Sequence, residues 1–120
     1  MAQVGKRLLT GSTNGRPILV VATASPGTTV HTVATAVTTA GMGDELWLWA
    51  YNADTVARLL TIELGGTTTT DAIKVSLAAQ SGLVEIIPGL FLNNAVVVRA
   101  YAAAANVCTV VGFTMQALEP

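Results

Sequence analysis

The stretch Glu45-Leu46-Trp47-Leu48-Trp49-Ala50-Tyr51-Asn52 alternates large aromatic side chains with aliphatic ones. Successive side chains of a β-strand point to opposite faces, so this alternation places Trp47, Trp49 and Tyr51 together on one face. The aliphatic residues between them occupy the other face. A strand of a β-sandwich ordinarily buries one face and exposes the other to water. We therefore expect a second sheet to cover one face of this strand and another chain to cover the other.

A second stretch, near the end of the chain, is apolar on both faces in the same way. Between residues 107 and 116, the side chains of Val111 and Phe113 alternate with those of Cys108 and Val110. No charged residue occurs in this stretch. The sequence thus predicts two strands that lack a clear solvent-exposed face.

The composition agrees with this shortage of solvent-exposed faces. Of the 120 residues, 52% are hydrophobic and 11% are charged, and the mean hydropathy is +0.59. Soluble domains ordinarily carry about 25% charged residues. No apolar run approaches the roughly 20 residues that a membrane-spanning helix requires, so we expect no membrane partner. Since large apolar patches mark interfaces, the composition predicts a subunit of an assembly.

Residues that favour turns divide the chain into short pieces rich in Val, Ile, Thr, Trp and Tyr, which favour strands. The pattern predicts eight strands, at residues 17–24, 28–37, 45–52, 58–64, 72–77, 83–87, 96–103 and 107–116. Eight strands in one domain of this length predict an all-β fold, a single antiparallel β-sandwich of jelly-roll type over residues 16–120. Residues 1–15 are predicted to form an extended N-terminal arm.

The predicted arm is basic, whereas the rest of the chain is acidic. Residues 1–43 contain Lys6, Arg7 and Arg16 and no acidic residue, while all seven acidic residues follow position 43. The predicted N-terminal arm is either a frayed terminus or a segment that lies along an acidic neighbour. With six Lys and Arg residues and a net charge of −1, the chain has too few positive charges for recognition of a phosphate backbone. We therefore expect no nucleic-acid partner.

Side chains that support catalysis are scarce. The only histidine, His31, has no acidic residue within twelve positions, and we expect it to be a structural hydrogen-bonding group. The only cysteine, Cys108, is expected to be buried and inert. Asp44 and Glu45 are adjacent and point to opposite faces of a strand, so they do not form a catalytic pair; Asp44 is expected to end a loop. The sequence therefore predicts no catalytic, metal or cofactor site and no enzymatic activity.

The aromatic residues have three interpretations: core packing, anchors of a protein interface, or a platform on which sugar rings stack. Glu63 and Arg99 lie in otherwise apolar strands and are expected to pair across a sheet or between subunits. Together with the basic residues of the arm, the candidate interface residues are Lys6, Arg7, Arg16, Trp47, Trp49, Tyr51 and Arg99.

Several segments carry a resemblance to a known class of proteins. They are Pro17-Ile18-Leu19-Val20-Val21 after the basic arm, Thr28-Thr29-Val30-His31-Thr32, the stretch 44–52, Leu60-Thr61-Ile62-Glu63-Leu64-Gly65-Gly66, Ile87-Pro88-Gly89-Leu90 and the last strand with Gly112. Taken together, they resemble small virion proteins of tailed bacteriophages, in particular capsid cement or decoration proteins with a jelly-roll fold. The resemblance covers most of the chain and consists of strand patterns and turns.

The resemblance implies a structural virion protein that binds the outside of a phage capsid as a homodimer or homotrimer. It would stabilise contacts between subunits of the major capsid protein, and its location would be the virion surface after synthesis in the host cytoplasm. Its partners would be copies of itself and the major capsid protein. Two alternatives stay open: another phage structural protein, at a head fibre base, tail or head–tail joint, and a lectin-like carbohydrate-binding module.

Overall fold

The computed structural model describes residues 3–34 and 38–118, which contain nine β-strands and a short 3₁₀ turn at Thr69–Asp71. The strands are β1 Gln3–Leu8, β2 Ile18–Leu19, β3 Thr28–Thr32, β4 Gly43–Asn52, β5 Arg58–Leu64, β6 Ala72–Leu77, β7 Val84–Leu92, β8 Val97–Ala102 and β9 Cys108–Leu118. The predicted all-β fold is confirmed. In the described ranges, no helix has the length and apolar character to cross a bilayer.

The strands form two antiparallel sheets. Sheet A has the order β1-β9-β4-β7, with β2 also paired to β9, and sheet B has the order β3-β8-β5-β6. From β2 onward, every connection except the β5–β6 hairpin crosses from one sheet to the other. This arrangement is the antiparallel sandwich of jelly-roll type that the sequence predicts. The two strands that are apolar on both faces, β4 and β9, lie side by side in sheet A.

The core lies between the two sheets and comes from alternate residues of their strands. In β4, Leu46, Leu48 and Ala50 are fully buried, while the residues between them are partly exposed. In residues 45–52 of β4, the aliphatic face is therefore the inner face. The other apolar residues of the core are Leu9, Ile18, Val20, Val30, Leu60, Ile62, Leu77, Ile87, Val98, Ala100, Ala102, Cys108 and Val110.

The N-terminal segment joins both sheets. β1 pairs with the last part of β9, in a register that places Leu8 opposite Phe113. The chain then crosses to sheet B, where Leu9 enters the core and the Gly11 N–H donates to the Val30 carbonyl. It returns to sheet A as β2. The first part of the predicted arm is thus placed as an edge strand, because the backbone groups along that edge of β9 find partners in β1.

Three predicted strands differ from the structure by more than two residues at one end. The strand predicted at 17–24 is reduced to β2, because residues 22–27 leave sheet A and cover part of sheet B. The strand predicted at 28–37 ends at Thr32, and residues 35–37 lie outside the described ranges. The strand predicted at 83–87 continues through Pro88 to Leu92. β7 lies at an edge of sheet A, where a proline without a backbone N–H is tolerated.

Candidate functional site

The outer side of sheet A, here called the aromatic face, collects apolar side chains that do not reach the core. Directly paired residues point to the same side of a sheet, so the register arranges these side chains in rows. The central row contains Leu8 of β1, Phe113 of β9, Trp47 of β4 and Pro88 of β7. The members of the aromatic face are Lys6, Leu8, Leu19, Glu45, Trp47, Trp49, Tyr51, Glu85, Pro88, Phe91, Thr109, Val111, Phe113 and Met115.

Three aromatic rings form the centre of this face. The ring centroids of Trp47, Trp49 and Phe113 lie 6.0–6.4 Å apart, and the ring planes are within 28° of parallel. The Trp47 indole N–H donates to Glu45, with 2.8 Å between Nε1 and Oε1. The Lys6 Nζ lies 4.6 Å from the Phe113 centroid, within range of a cation–π contact. These contacts hold a large apolar surface in a fixed orientation, as in the hot spots of protein interfaces.

A glycine lets one of these rings lie against the sheet. A Cβ atom at Gly89 of β7 would come within 3.1 Å of the Trp47 indole and within 3.5 Å of the Glu45 carboxyl carbon. Gly89 also has a φ of +90°, a conformation that other residues rarely adopt. The Pro88-Gly89 pair, which is typical of a turn, therefore lies within strand β7, where its glycine leaves space for the Trp47 ring.

The aromatic face is partly exposed in the single chain: its three central rings are half-buried, and apolar residues around them are exposed. Leu8, Leu19 and Phe91 are 55%, 44% and 42% exposed. In the part of the chain that the structure describes, its charged members are Lys6, Glu45 and Glu85. The outer side of sheet B carries exposed polar residues, among them Lys74 and Ser76, together with the half-buried Arg99 and the exposed Leu59. The sandwich therefore has one apolar outer side and one mixed outer side.

Four of the seven candidate interface residues meet on the aromatic face, namely Lys6, Trp47, Trp49 and Tyr51. The core interpretation of the aromatic residues is wrong, because the inner face of β4 is the aliphatic one. The other three candidates lie elsewhere. Arg7 lines a cleft at one end of the sandwich, Arg16 is exposed in the loop before β2, and Arg99 belongs to the outer side of sheet B.

Sequence reasoning missed several apolar members of the face, among them Leu8, Phe91, Phe113 and Met115. Alternation within residues 107–116 places Phe113 and Met115 on one side of their strand. The register with β4, which brings that side next to the tryptophans, is a tertiary property. Leu8 and Phe91 lie in segments that were not predicted to be strands, so no periodic signal marks them.

Glu63 and Arg99 are paired in register, but they do not form an ion pair. Their Cα atoms are partners across β5 and β8. The Glu63 carboxylate, which is 1% exposed, instead accepts hydrogen bonds from the Ser25 hydroxyl and the Gly27 N–H, at 2.5 and 2.7 Å. The loop that covers this part of sheet B therefore satisfies the buried carboxylate, and the expected pairing of Glu63 with Arg99 across the sheet is not formed.

His31 is a structural group, as expected, but it has an acidic partner that the sequence did not reveal. Its Nε2 lies 2.8 Å from Asp44 Oδ2, and both side chains are 2% exposed. The Thr10 N–H donates to His31 Nδ1 at 3.1 Å, so that nitrogen carries no proton and Nε2–H donates to the carboxylate. Asp44 Oδ2 also accepts from the Ala34 N–H at 3.3 Å. The expectation that Asp44 merely ends a loop is wrong, since Asp44 of sheet A is bonded to His31 of sheet B.

A cleft of about 490 Å³ lies beside this pair, with Arg7, Thr114 and Gln116 in its lining. Asp44 Oδ1 and Thr114 Oγ1 are buried without a hydrogen-bond partner among the described residues. An ordered water commonly satisfies such atoms. Because both nitrogens of His31 are already engaged, neither is free to accept a proton from a substrate. The arrangement suits a clamp between the two sheets.

The remaining reactive side chain is also packed in the interior. Cys108 is fully buried in the core, and burial raises the pKa of its thiol, which lowers the fraction of the nucleophilic thiolate. Across residues 3–34 and 38–118, no three His, Cys, Asp or Glu side chains are grouped so that they could hold a metal ion.

Comparison with known proteins gives no relative for this chain: no family model, no curated protein and no solved structure matches it.

Proposed function

We propose that this chain is a structural virion protein, a homo-oligomeric cement or decoration subunit that binds the outside of a phage capsid. The observation that carries the proposal is the aromatic face, which joins three ordered aromatic rings to exposed aliphatic residues on one side of the sandwich. A contiguous apolar surface of this kind marks an interface with another chain. Binding to other chains is therefore the activity that the surface supports best.

Two further observations support the proposal. Jelly-roll sandwiches recur in viral capsid proteins and in lectins, and the strand patterns and turns of this sequence resemble those of phage decoration proteins. A fold hosts many functions, so the aromatic face supports the proposed function more strongly than the fold does. The His31–Asp44 contact and the buried Glu63 have structural partners, and they add no competing chemistry.

The mechanism is mechanical reinforcement of the shell. A subunit that contacts two or more neighbouring capsid proteins adds its own buried surface to the contacts that must break when those proteins separate. If the cement subunit is itself an oligomer, its second contact with the shell is intramolecular, and the occupancy rises without a stronger single contact. Self-association and attachment to the shell therefore reinforce each other.

The test uses purified heads of the phage that encodes this chain, prepared without it. We expect the added protein to bind to saturation and to raise the temperature at which the heads disrupt. The variant Trp49→Ala removes a central ring and should lower the occupancy, whereas Thr67→Ala, at an exposed position of the loop between β5 and β6, should not. Absence of binding by the folded wild-type protein would refute the proposal, and its position in a cryo-EM map separates a capsid site from a fibre, tail or joint site.

The geometry of the rings favours one second candidate, a carbohydrate-binding module. Trp47, Trp49 and Phe113 present nearly parallel rings on an exposed sheet, and such rings offer flat apolar surfaces to sugar rings. A glycan-array signal that Trp49→Ala abolishes would favour this function. An array without signal for the wild-type protein would reject it.

A further inference from the structure

The partner that covers the aromatic face can be inferred from the size of the face and the positions of its charged residues. We propose that two copies of this chain pair through their aromatic faces, about a two-fold axis that runs parallel to the strands and lies between β9 and β4. This inference rests on the proposed role as a homo-oligomeric subunit, and it specifies the surface and the symmetry of self-association.

The size of the face fits a stable pair. Sheet A is four strands wide, and β4 is ten residues long. With about 4.8 Å between strands and about 3.3 Å per residue, the face measures roughly 600 Å² per copy, or roughly 1,200 Å² for a pair. Specific protein interfaces bury about 1,200–2,000 Å² in total, so the face alone supplies the lower end of this range.

The register determines which residues meet. In the proposed arrangement β1 of one copy lies over β7 of the other, and β9 lies over β4. A rotation about this axis does not shift residues along the strands, so each row of one copy lies over the same row of the second copy. The central row then faces itself, so Phe113 of one copy lies over Trp47 of the second copy, and the reverse. The ordered rings thus meet at the symmetry axis, where hot-spot residues of interfaces concentrate.

The charged residues are complementary under the same symmetry. One row contains Lys6, Met115, Glu45 and Phe91. When this row faces itself, Lys6 lies over Phe91 of the second copy, one strand spacing, about 4.8 Å, to the side of its Glu45. Two stacked sheets are about 10 Å apart, a gap that the two long side chains bridge together. The pair therefore gains two Lys6–Glu45 contacts, one on each side of the axis.

The alternative two-fold axis, perpendicular to the strands, lacks this complementarity. It would place the row of Lys6 over the row that contains Leu19, Thr109 and Tyr51. Lys6 and Glu45 would then be covered by uncharged side chains, which is costly because neither would gain a partner of opposite charge. The third charge, Glu85, lies on the edge strand β7, at the rim of either arrangement. Charge complementarity therefore selects the axis parallel to the strands.

The pairing leaves the other surfaces free for a shell. The outer side of sheet B lies away from the aromatic face, and the cleft beside His31, which shares Lys6 and Leu8 with that face, also presents Arg7 at one end of the sandwich. A dimer of this kind presents two equal sets of these surfaces, related by the two-fold axis. Such a particle suits a joint between two neighbouring capsid subunits.

Charge-swap variants test the pairing. In Lys6→Glu, the new acid faces Glu45 of the second copy, and in Glu45→Lys, the new base faces Lys6. Each variant alone is expected to weaken self-association by about tenfold or more, because like charges oppose each other across the interface. An equimolar mixture, with one chain labelled with ¹⁵N, is expected to form heterodimers, since both contacts between opposite charges are restored. Lys74→Glu, an exposed change of the same kind on β6, is the control and should self-associate like the wild type.

Native mass spectrometry and sedimentation velocity read out the result, and circular dichroism checks that each variant is folded. Heterodimers in the mixture support the pairing. A mixture that stays monomeric while the wild-type protein dimerises overturns it, as does a monomeric wild type. Binding to heads is measured separately: a monomeric protein that still binds heads refutes the pairing alone, and a dimer that does not bind them refutes the capsid function alone.

Discussion

The contact between His31 and Asp44 is a buried hydrogen bond that connects the two sheets. Both side chains are buried, and the second nitrogen of His31 holds the Thr10 backbone at the crossing of the N-terminal segment. Removal of the imidazole would leave a buried carboxylate with only the Ala34 N–H as a donor. His31 therefore contributes far more to stability than the absence of acidic residues near it in the sequence indicates.

We expect His31→Ala to lower the free energy of unfolding by about 3 kcal/mol or more, as loss of one partner of a buried charge does. His31→Gln, whose amide has one donor and one acceptor group, should lose less. Urea denaturation followed by tryptophan fluorescence measures both values.

The matched control is Arg58→Ala, which breaks the ion pair with Asp54 near the surface. The hydrogen bond from Arg58 is the main reason that the pKa of the Asp54 carboxyl lies below its ordinary value. Solvent screens this pair, so its loss should have a much smaller effect. Equal losses for His31→Ala and Arg58→Ala would contradict the clamp.

At the scale of the elements, the pairing of β4 with β9 forms both the core and the aromatic face. Ten residue pairs connect the two strands, from Gly43–Ala117 to Asn52–Cys108. Gly112 lies in the middle of this ladder, and a Cβ atom there would overlap the backbone carbonyl of Trp47. The close approach of the strands therefore depends on this glycine.

Gly112→Ala is expected to push β4 and β9 apart and to cost about 1–3 kcal/mol of stability, in the range of overpacked cores. It should also weaken self-association, because Trp47 and Phe113 lie on these strands. Gly5→Ala in β1 is the control, since the nearest atom to its Cβ is Arg7 Nε at 3.9 Å. Its effect should stay within about 0.5 kcal/mol. If Gly112→Ala were tolerated as well as Gly5→Ala, the strand geometry described for this pair would be incorrect.

The strands that the sequence predicts well are those with strong local periodicity. The bounds of β5 and β6 agree with the prediction, and β4, β8 and β9 differ by one or two residues at their ends. β1 was missed because Gly5, Lys6 and Arg7 give no alternation of apolar and polar residues; its pairing depends on the free edge of β9. β7 was cut short because Pro88-Gly89 is typical of a turn, and only its edge position permits a strand there.

For the molecule as a whole, the important property is the difference between its two outer sides. The sequence shows that two strands have no clear solvent face, but it does not show that they are neighbours in one sheet. That adjacency concentrates the excess of apolar residues on one side, whereas the outer side of sheet B combines Thr29, Lys74, Ser76 and Arg99 with the exposed Leu59. Alternation within β4 therefore predicted that Trp47, Trp49 and Tyr51 share one face. It did not predict that Phe113, Leu8 and Phe91 would lie beside them.

The partners of the buried polar residues show the same limit of sequence reasoning. Asp44 is thirteen positions from His31, and Ser25 is thirty-eight from Glu63. No local sequence pattern predicts either contact, because the connections that cross between the two sheets bring these residues together. Glu63 and Arg99 were correctly expected to lie in strands, but which group satisfies the carboxylate is decided by the loop at residues 22–27.

Our proposal that another copy of the chain covers the aromatic face is tested by sedimentation equilibrium of the wild-type protein over a range of concentrations at moderate salt. We predict a species with twice the chain mass of 12.3 kDa that dissociates on dilution. A mass of 12.3 kDa at every concentration would show that the aromatic faces do not pair.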